Sequence, residues 1–288
     1  MVEDNRNLIM EIQKRFSKLS KGQKLIAQYI IDNYDKAAFM TASKLGDKVG
    51  VSESTVVRFA NAMDFEGYPQ LQRGLQEIIK TKLTTVQRVE MAREYPDEIE
   101  ALKKVLKSDM DNIRSTLDSI DHEVFLEVID LIFKADKIYI IGLRSSTALA
   151  EYLGFYLNLV LDNVKIISYG ISDLFEQMLR VSDKDLVIAI SFPRYSNRTL
   201  QTVKYAKEQG VPIVGITDSL LSPLADIADH SLTAKSNMLS FVDSLVAPLS
   251  LINAIIVAVG MREKEEVTDY FNKLEEIWEK YNIYDRQG

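Results

Sequence analysis

Between residues 137 and 234 the chain alternates short β-branched runs with helical stretches, and this alternation limits the fold more than any other feature. The runs are KIYIIG (137–142), VKIIS (164–168), DLVIAIS (185–191), VPIVGIT from residue 211, and HSLTA (230–234). TALAEYLGFYLNLV, DLFEQMLR and TLQTVKYAKEQG, all of helical period, separate most of them, and a short helical piece, SPLADIAD, joins the last two. Apolar runs without alternation are buried on both faces, so the pattern predicts a five-stranded parallel sheet covered by helices on both sides. A doubly wound order of 2-1-3-4-5 is expected, the flavodoxin type.

Upstream the period is different. From residue 8 to about 80 the apolar spacing is helical throughout, which predicts a compact bundle of about five short helices. A charged stretch follows, in which Leu102, Leu106, Met110, Ile113, Leu117 and Ile120 recur at helical spacing. That is an amphipathic helix suited to joining domains or pairing with a partner. LVAPLSLINAIIVAVG (245–260) is too short for a membrane span and reads as a buried helix. A last helix carries Val267, Tyr270, Phe271, Leu274, Ile277, Trp278 and Tyr281 at heptad-like spacing. The expected organisation is therefore a helical domain over 1–80, a helical linker over 81–124, an α/β domain over 125–260 and a terminal helix over 261–288.

Composition excludes several chemistries. The chain has no cysteine, so disulfides, thiolate catalysis and thiol-based zinc sites are ruled out. Its histidines, His122 and His230, flank no metal-ligand spacing. No cofactor motif is present. The N-terminus lacks a signal-peptide layout, so a cytoplasmic protein is expected, with no membrane partner. Net charge is −7, yet residues 1–90 hold 14 Lys+Arg against 11 Asp+Glu while the remainder holds 21 against 31. A mildly basic head on an acidic body suits a DNA-binding domain joined to a sensor.

Within the head, Thr41 is placed to cap a helix TASKLGDKV, Gly50 fits a tight turn, and Ser52 is placed to cap a second helix, SESTVVRFANAM. Val56, Phe59, Ala60 and Met63 share one face of the second helix and point inward. Ser54, Arg58 and Asn61 share the opposite face, with Thr55 beside them. Arg can bridge guanine O6 and N7, Asn can pair with adenine, and small hydroxyls bond phosphates, so this face suits a major groove. Gly46 leaves room for a close crossing. An ordinary helical hairpin with a solvated outer face has the same spacing.

Residues 41–69, with Val51, Ser52, Thr55, Val56, Arg58 and Phe59 in order and a following GYP, resemble the helix-turn-helix of the RpiR-type bacterial transcription regulators, over about the first 80 residues. The resemblance implies that SESTVVRF is the recognition helix and that Thr55 and Arg58 contact double-stranded operator DNA.

In the expected sheet, the winding reverses between the first and third strands, where ligands bind beyond the strands' carboxyl ends. The loops there read GLRSST (142–147) and SFPRYSNRT (191–199), each with arginine and hydroxyls and each running into a helix N-terminus. Such ends hold anions, and Arg144, Arg194 and Arg198 add charge. Helix caps with surface arginines have the same composition. Residues 125–260 resemble the sugar isomerase (SIS) domain that RpiR-type regulators carry. In that family the loops are usually Gly-x-Gly-x-Ser and Ser-x-Ser-Gly-x-Thr, cradling a sugar phosphate. Gly142, Ser146 and Ser191 match; Arg144 stands for the second glycine, Pro193 and Arg194 for Ser-Gly, and Ser196 for Thr. Ser145 lies in the first loop, and TDSLLSP (217–223) adds Asp218 and Ser219. The arginines favour a small acidic metabolite, of which a sugar phosphate is one.

Two functions are open on this reading. One is a ligand-responsive transcription regulator, acting as a homodimer or tetramer. The other is a sugar-phosphate isomerase with a helical dimerisation head, in which Glu151 or Glu176 would supply the general base.

Overall fold

The computed structural model describes residues 8–82, 88–89, 97–262 and 264–284. The chain divides into two compact units, Met1–Arg93 and Glu94–Gly288. Parts of the expected linker, the first seven residues and the side chain of Val267 lie outside the described residues.

The first unit contains α1 (Leu8–Arg15), α2 (Lys21–Asp32), α3 (Tyr34–Ala37), α4 (Ala42–Val49), α5 (Glu53–Ala62) and α6 (Tyr68–Lys82). Its core is Ile12, Ile26, Ile30, Leu45, Val56, Phe59, Leu71 and Leu75, all fully buried. The inward face of α5 expected from the sequence is therefore the packed one. Ser20 and Gln23 form a reciprocal cap at the start of α2, satisfying two orphan donors of that helix. The Tyr68 hydroxyl donates to the carbonyls of Met40 (2.8 Å) and Ala37 (3.3 Å), while Gln72 and Gln76 donate to those of Met40 and Ala38. These bonds tie α6 to the turn between α3 and α4.

The second unit opens with α7 (Glu98–Ser119) and α8 (His122–Lys134). Then come β1 (Ile138–Gly142), α9 (Thr147–Asn158), β2 (Val164–Ile167), α10 (Leu174–Gln177) and β3 (Leu186–Ile190). They are followed by α11 (Asn197–Glu208), β4 (Ile213–Thr217), β5 (His230–Thr233), α12 (Val246–Arg262) and α13 (Lys264–Tyr281). The strands are all parallel, in the order β2-β1-β3-β4-β5. The expected sheet and its winding are thus observed.

The pleat divides the strand residues between two apolar layers. Ile138, Ile140, Leu186, Ile188 and Ile190 pack with residues of α8, α9 and α12, and Tyr139, Ile141, Val187 and Ala189 pack with residues of α10 and α11. The stretch SPLADIAD is a succession of turns rather than a helix. The chain has to return at once to the start of β4, where the Asp229 N–H donates to the Ile213 carbonyl and the Asp229 carboxylate accepts from the Ile213 N–H, each at 2.8 Å.

One helix is oriented against its composition. α7 packs against α12, and the buried residues it carries are polar, Asn112 and Thr116. Its apolar positions Leu102, Leu106, Met110 and Leu117 are exposed instead. The periodicity that predicts this helix says nothing of which face is covered.

Candidate functional site

The turn between α4 and α5 rests on two glycines. Gly50 ends α4 in the left-handed region at φ 76°, and a methyl on Gly46 would stand 2.7 Å from the Val51 carbonyl oxygen. Thr41 caps α4, accepting from the Lys44 N–H at 3.2 Å. Ser52 occupies the N-cap position of α5 but its hydroxyl makes no capping bond. It lies 2.9 Å from both Ser54 Oγ and Thr55 Oγ1, and Arg58 Nη2 donates to the same Thr55 oxygen at 3.1 Å. Four of the expected DNA-contacting residues thus form one connected strip: Ser52, Ser54 and Arg58 are exposed, and Thr55 is half-buried beside Gly22 of α2. Asn61 is exposed one turn farther along α5, and Thr41 is at the start of α4 with its hydroxyl engaged in the cap. Gln23, which sequence reasoning did not include, donates to the Arg58 carbonyl at 3.4 Å. Its signal was present as the capping pattern Ser20-x-x-Gln23.

At the sheet, Gly142 of β1 pairs with Ile190 of β3, so the two hydroxyl-rich loops leave adjacent strands side by side. The turn of the first loop closes tightly over Gly142, where an added methyl would stand 2.6 Å from the Ser146 carbonyl oxygen. Ser146 and Ser191 are only 4% and 2% exposed. Neither hydroxyl hydrogen-bonds another described residue. Both arginines sit in left-handed backbone, Arg144 at φ 61° and Arg194 at φ 64°. Among the described residues the only other non-glycine residues with positive φ are Asp64 and Asn282, types that tolerate it.

Most of the remaining expected ligand residues have protein partners. Ser196 caps α11, accepting from the Thr199 N–H at 3.3 Å. Ser219 accepts from the Leu221 N–H at 3.1 Å. Asp218 is buried and accepts from the Tyr195 hydroxyl at 2.8 Å and from the Thr217 hydroxyl at 3.3 Å. Ser145 is exposed, and Arg198 pairs with Asp173 at 3.6 Å. Tyr195 and Thr199, whose buried hydroxyl has no partner, were not singled out from the sequence although both lie in the quoted second loop.

Neither glutamate considered for catalysis joins these loops in a hydrogen bond. Glu176 turns back to accept from the Asp173 N–H at 3.0 Å, completing a cap, and Glu151 is exposed on α9. An open depression lined by Glu176, Lys165 and Arg180 lies toward the amino ends of β1 and β2 and includes none of the expected ligand residues. Among the described residues, no group of three or more His, Asp or Glu could hold a metal ion, and no helix is long and apolar enough to cross a membrane.

Two family models match the chain: a helix-turn-helix domain of the rpiR family over residues 6–82 and a SIS domain over residues 131–258. The chain belongs to the RpiR family of transcriptional regulators. One relative, the HTH-type transcriptional regulator HexR of Escherichia coli, is 25% identical over 289 residues, spanning 98% of this chain and 97% of its own. The sugar isomerase domain of an RpiR transcription factor from Sphaerobacter thermophilus is 29% identical and superposes with a TM-score of 0.58, covering 60% of this chain and 97% of that one. The NanR protein of Vibrio vulnificus, solved in complex with ManNAc-6P, shares the fold at 21% identity and a TM-score of 0.58 over 94% of this chain and 98% of that one.

Left-handed backbone at positions 144 and 194 gives a reason for the glycines usual in the RpiR-type SIS loops: an L side chain there is strained. This RpiR regulator carries arginine at both.

Proposed function

We propose that this regulator binds operator DNA through the exposed face of α5 and a small acidic metabolite at the carboxyl edge of its sheet. Ser52, Ser54, Thr55, Arg58 and Asn61 form the DNA-reading surface, with Arg58 addressing base edges and the hydroxyls addressing phosphates. Thr41 holds the start of α4 in place and adds a further phosphate contact. Two units of this kind, brought together as a homodimer or tetramer, meet half-sites one helical turn apart.

The effector site comprises Ser146 and Ser191 at its centre, with Arg144 and Arg194 supplying charge and Ser145, Ser196, Asp218 and Ser219 around them. The observation that carries this reading is the pairing of Gly142 with Ile190, which brings two largely buried serines, Ser146 and Ser191, to neighbouring strand ends. Helix N-termini and hydroxyls there complement an anion, and guanidinium groups add fork-shaped donors. A sugar phosphate is one ligand of this chemistry, in keeping with the ManNAc-6P held by a protein of the same fold. Binding without turnover is supported by where the two glutamates considered for catalysis lie: Glu176 is committed to its cap and Glu151 faces solvent.

The test is a salt titration of binding to DNA from upstream of the regulator's own gene, with and without phosphosugars. Binding with a negative slope in log affinity against log salt, relieved or strengthened by one acidic metabolite, is the expected result. Affinity undetectable at low salt would end the DNA reading.

A further inference from the structure

We propose that Asn112 of α7 is a ligand-reading residue, which recognises paired sugar hydroxyls of the effector beside its anionic group. The inference rests on the effector site proposed above and deepens it.

Asn112 is fully buried, and neither its Nδ2 nor its Oδ1 has a hydrogen-bond partner. A carboxamide offers two donors and an acceptor, and native proteins rarely leave all of them unsatisfied in the interior. Its surroundings are defined on both sides. One turn later on the same edge, Thr116 Oγ1 accepts from the Lys235 N–H at 2.9 Å. Three residues earlier, Asp109 accepts from the Ser244 hydroxyl at 2.6 Å. The irregular segment 235–244 is therefore tied to α7 at both its ends, and Asn112 lies between the ties. The Ser236 hydroxyl donates to the Ser244 carbonyl at 2.9 Å and closes the segment on itself. Within it the Ser240 hydroxyl is a second buried polar group without a partner.

This segment begins at the sheet edge already assigned to the effector. Ala234 donates its N–H to the Thr217 carbonyl at 2.8 Å, so the chain leaves β5 next to the end of β4 and one residue from Asp218. The polar edge that α7 turns inward thus faces the segment that continues the ligand-binding end of the sheet. An uncharged carboxamide adds nothing to an anion's charge balance, but it donates and accepts at once. A vicinal hydroxyl pair does the same, which makes the sugar part of a phosphosugar its complement. Engagement requires segment 235–244 to lift from α7.

The test compares the full chain with Asn112→Leu by thermal unfolding in buffer, in inorganic phosphate, and in glucose 6-phosphate, fructose 6-phosphate and N-acetylmannosamine 6-phosphate. An amide without partners loses nothing on replacement, so the ligand-free melting temperature is expected to hold or rise, whereas Thr116→Val lowers it. The phosphate-induced shift is expected to be equal in both proteins. At least one phosphosugar should bind the wild type more tightly than phosphate does, with that increment reduced roughly tenfold or more in the variant. Asn112→Ala, which cannot overpack, is expected to lose the same increment. A ligand-free fall of more than about 3 °C in Asn112→Leu would make Asn112 a structural residue and overturn the proposal. A sugar increment equal in wild type and variants, or a wild type stabilised by phosphate but no further by any phosphosugar, would also overturn it and leave the anion site standing. No shift with any of the four probes would remove the anion site and the proposal together.

Discussion

Arg58 donates to the Thr55 hydroxyl at 3.1 Å, so the guanidinium is held against the first turn of α5 by a group that also touches Ser52. The side chain with the longest reach on this face is thereby positioned before any duplex arrives. Replacing Arg58 with alanine is expected to weaken specific DNA binding by roughly 1–3 kcal/mol and to relax preference at one base pair. Fluorescence anisotropy with operator and scrambled duplexes measures both effects. An equal loss on the two duplexes would move Arg58 from the bases to the phosphates.

Gly46 has the opposite kind of importance, since what matters is the side chain it lacks. An alanine methyl would lie 2.7 Å from the Val51 carbonyl oxygen, a backbone atom that cannot rotate away. Gly46→Ala is expected to destabilise the first unit by about 1–3 kcal/mol. Gly260→Ala in α12, where a methyl meets nothing within 4 Å, is expected to stabilise the second by about 0.4–1 kcal/mol. Denaturant unfolding followed by circular dichroism reads the two signs.

The two architectures were legible because their signals are local. Period-2 and period-3.6 patterns mark strands and helices, and the winding rule then orders the sheet and points to the loops at 142–147 and 191–199. The inward residues of α5 were legible for the same reason. Ser52 was not: a hydroxyl at an N-cap position is open to bonding side chains as well as backbone, and Ser54 and Thr55 offer it two. Glu176 was read as a possible base because its cap on Asp173 depends on a turn that no periodicity reports. The inward polar edge of α7 lay furthest from view, since its partners at Lys235 and Ser244 are more than a hundred residues away.

Tyr68, of the Gly-Tyr-Pro turn, is buried against two carbonyls, and burial pushes its phenol up to about 12 from the ordinary 10.0. The unfolded chain therefore releases this proton at lower pH than the folded one. Its contribution is complete below pH 10 and is lost as pH rises toward 12, the window set by those two values. Tyr68→Phe is expected to lower stability near neutrality by about 0.5–1.5 kcal/mol, and to remove this part of the alkaline decline. Unfolding midpoints measured between pH 8 and 12 for both proteins test the difference; parallel curves would place the titration elsewhere.

At Arg144 and Arg194 backbone strain is set against the ligand-binding role proposed for their charge. Left-handed backbone costs an L residue roughly 1–2 kcal/mol, whereas glycine adopts it freely and forfeits about 0.5–1 kcal/mol through the unfolded chain. Arg144→Gly and Arg194→Gly are thus each expected to leave the second unit unchanged or more stable by up to about 1.5 kcal/mol. The same changes remove a guanidinium from the proposed anion site, and each is expected to weaken phosphate binding by roughly tenfold. Arg144→Lys separates the two effects, because it keeps both the charge and the strained backbone while removing the planar fork. Calorimetric titration with inorganic phosphate, run beside thermal unfolding, reads both quantities on the same samples. A glycine variant that gains stability and binds phosphate as tightly as the wild type would take that arginine out of the site.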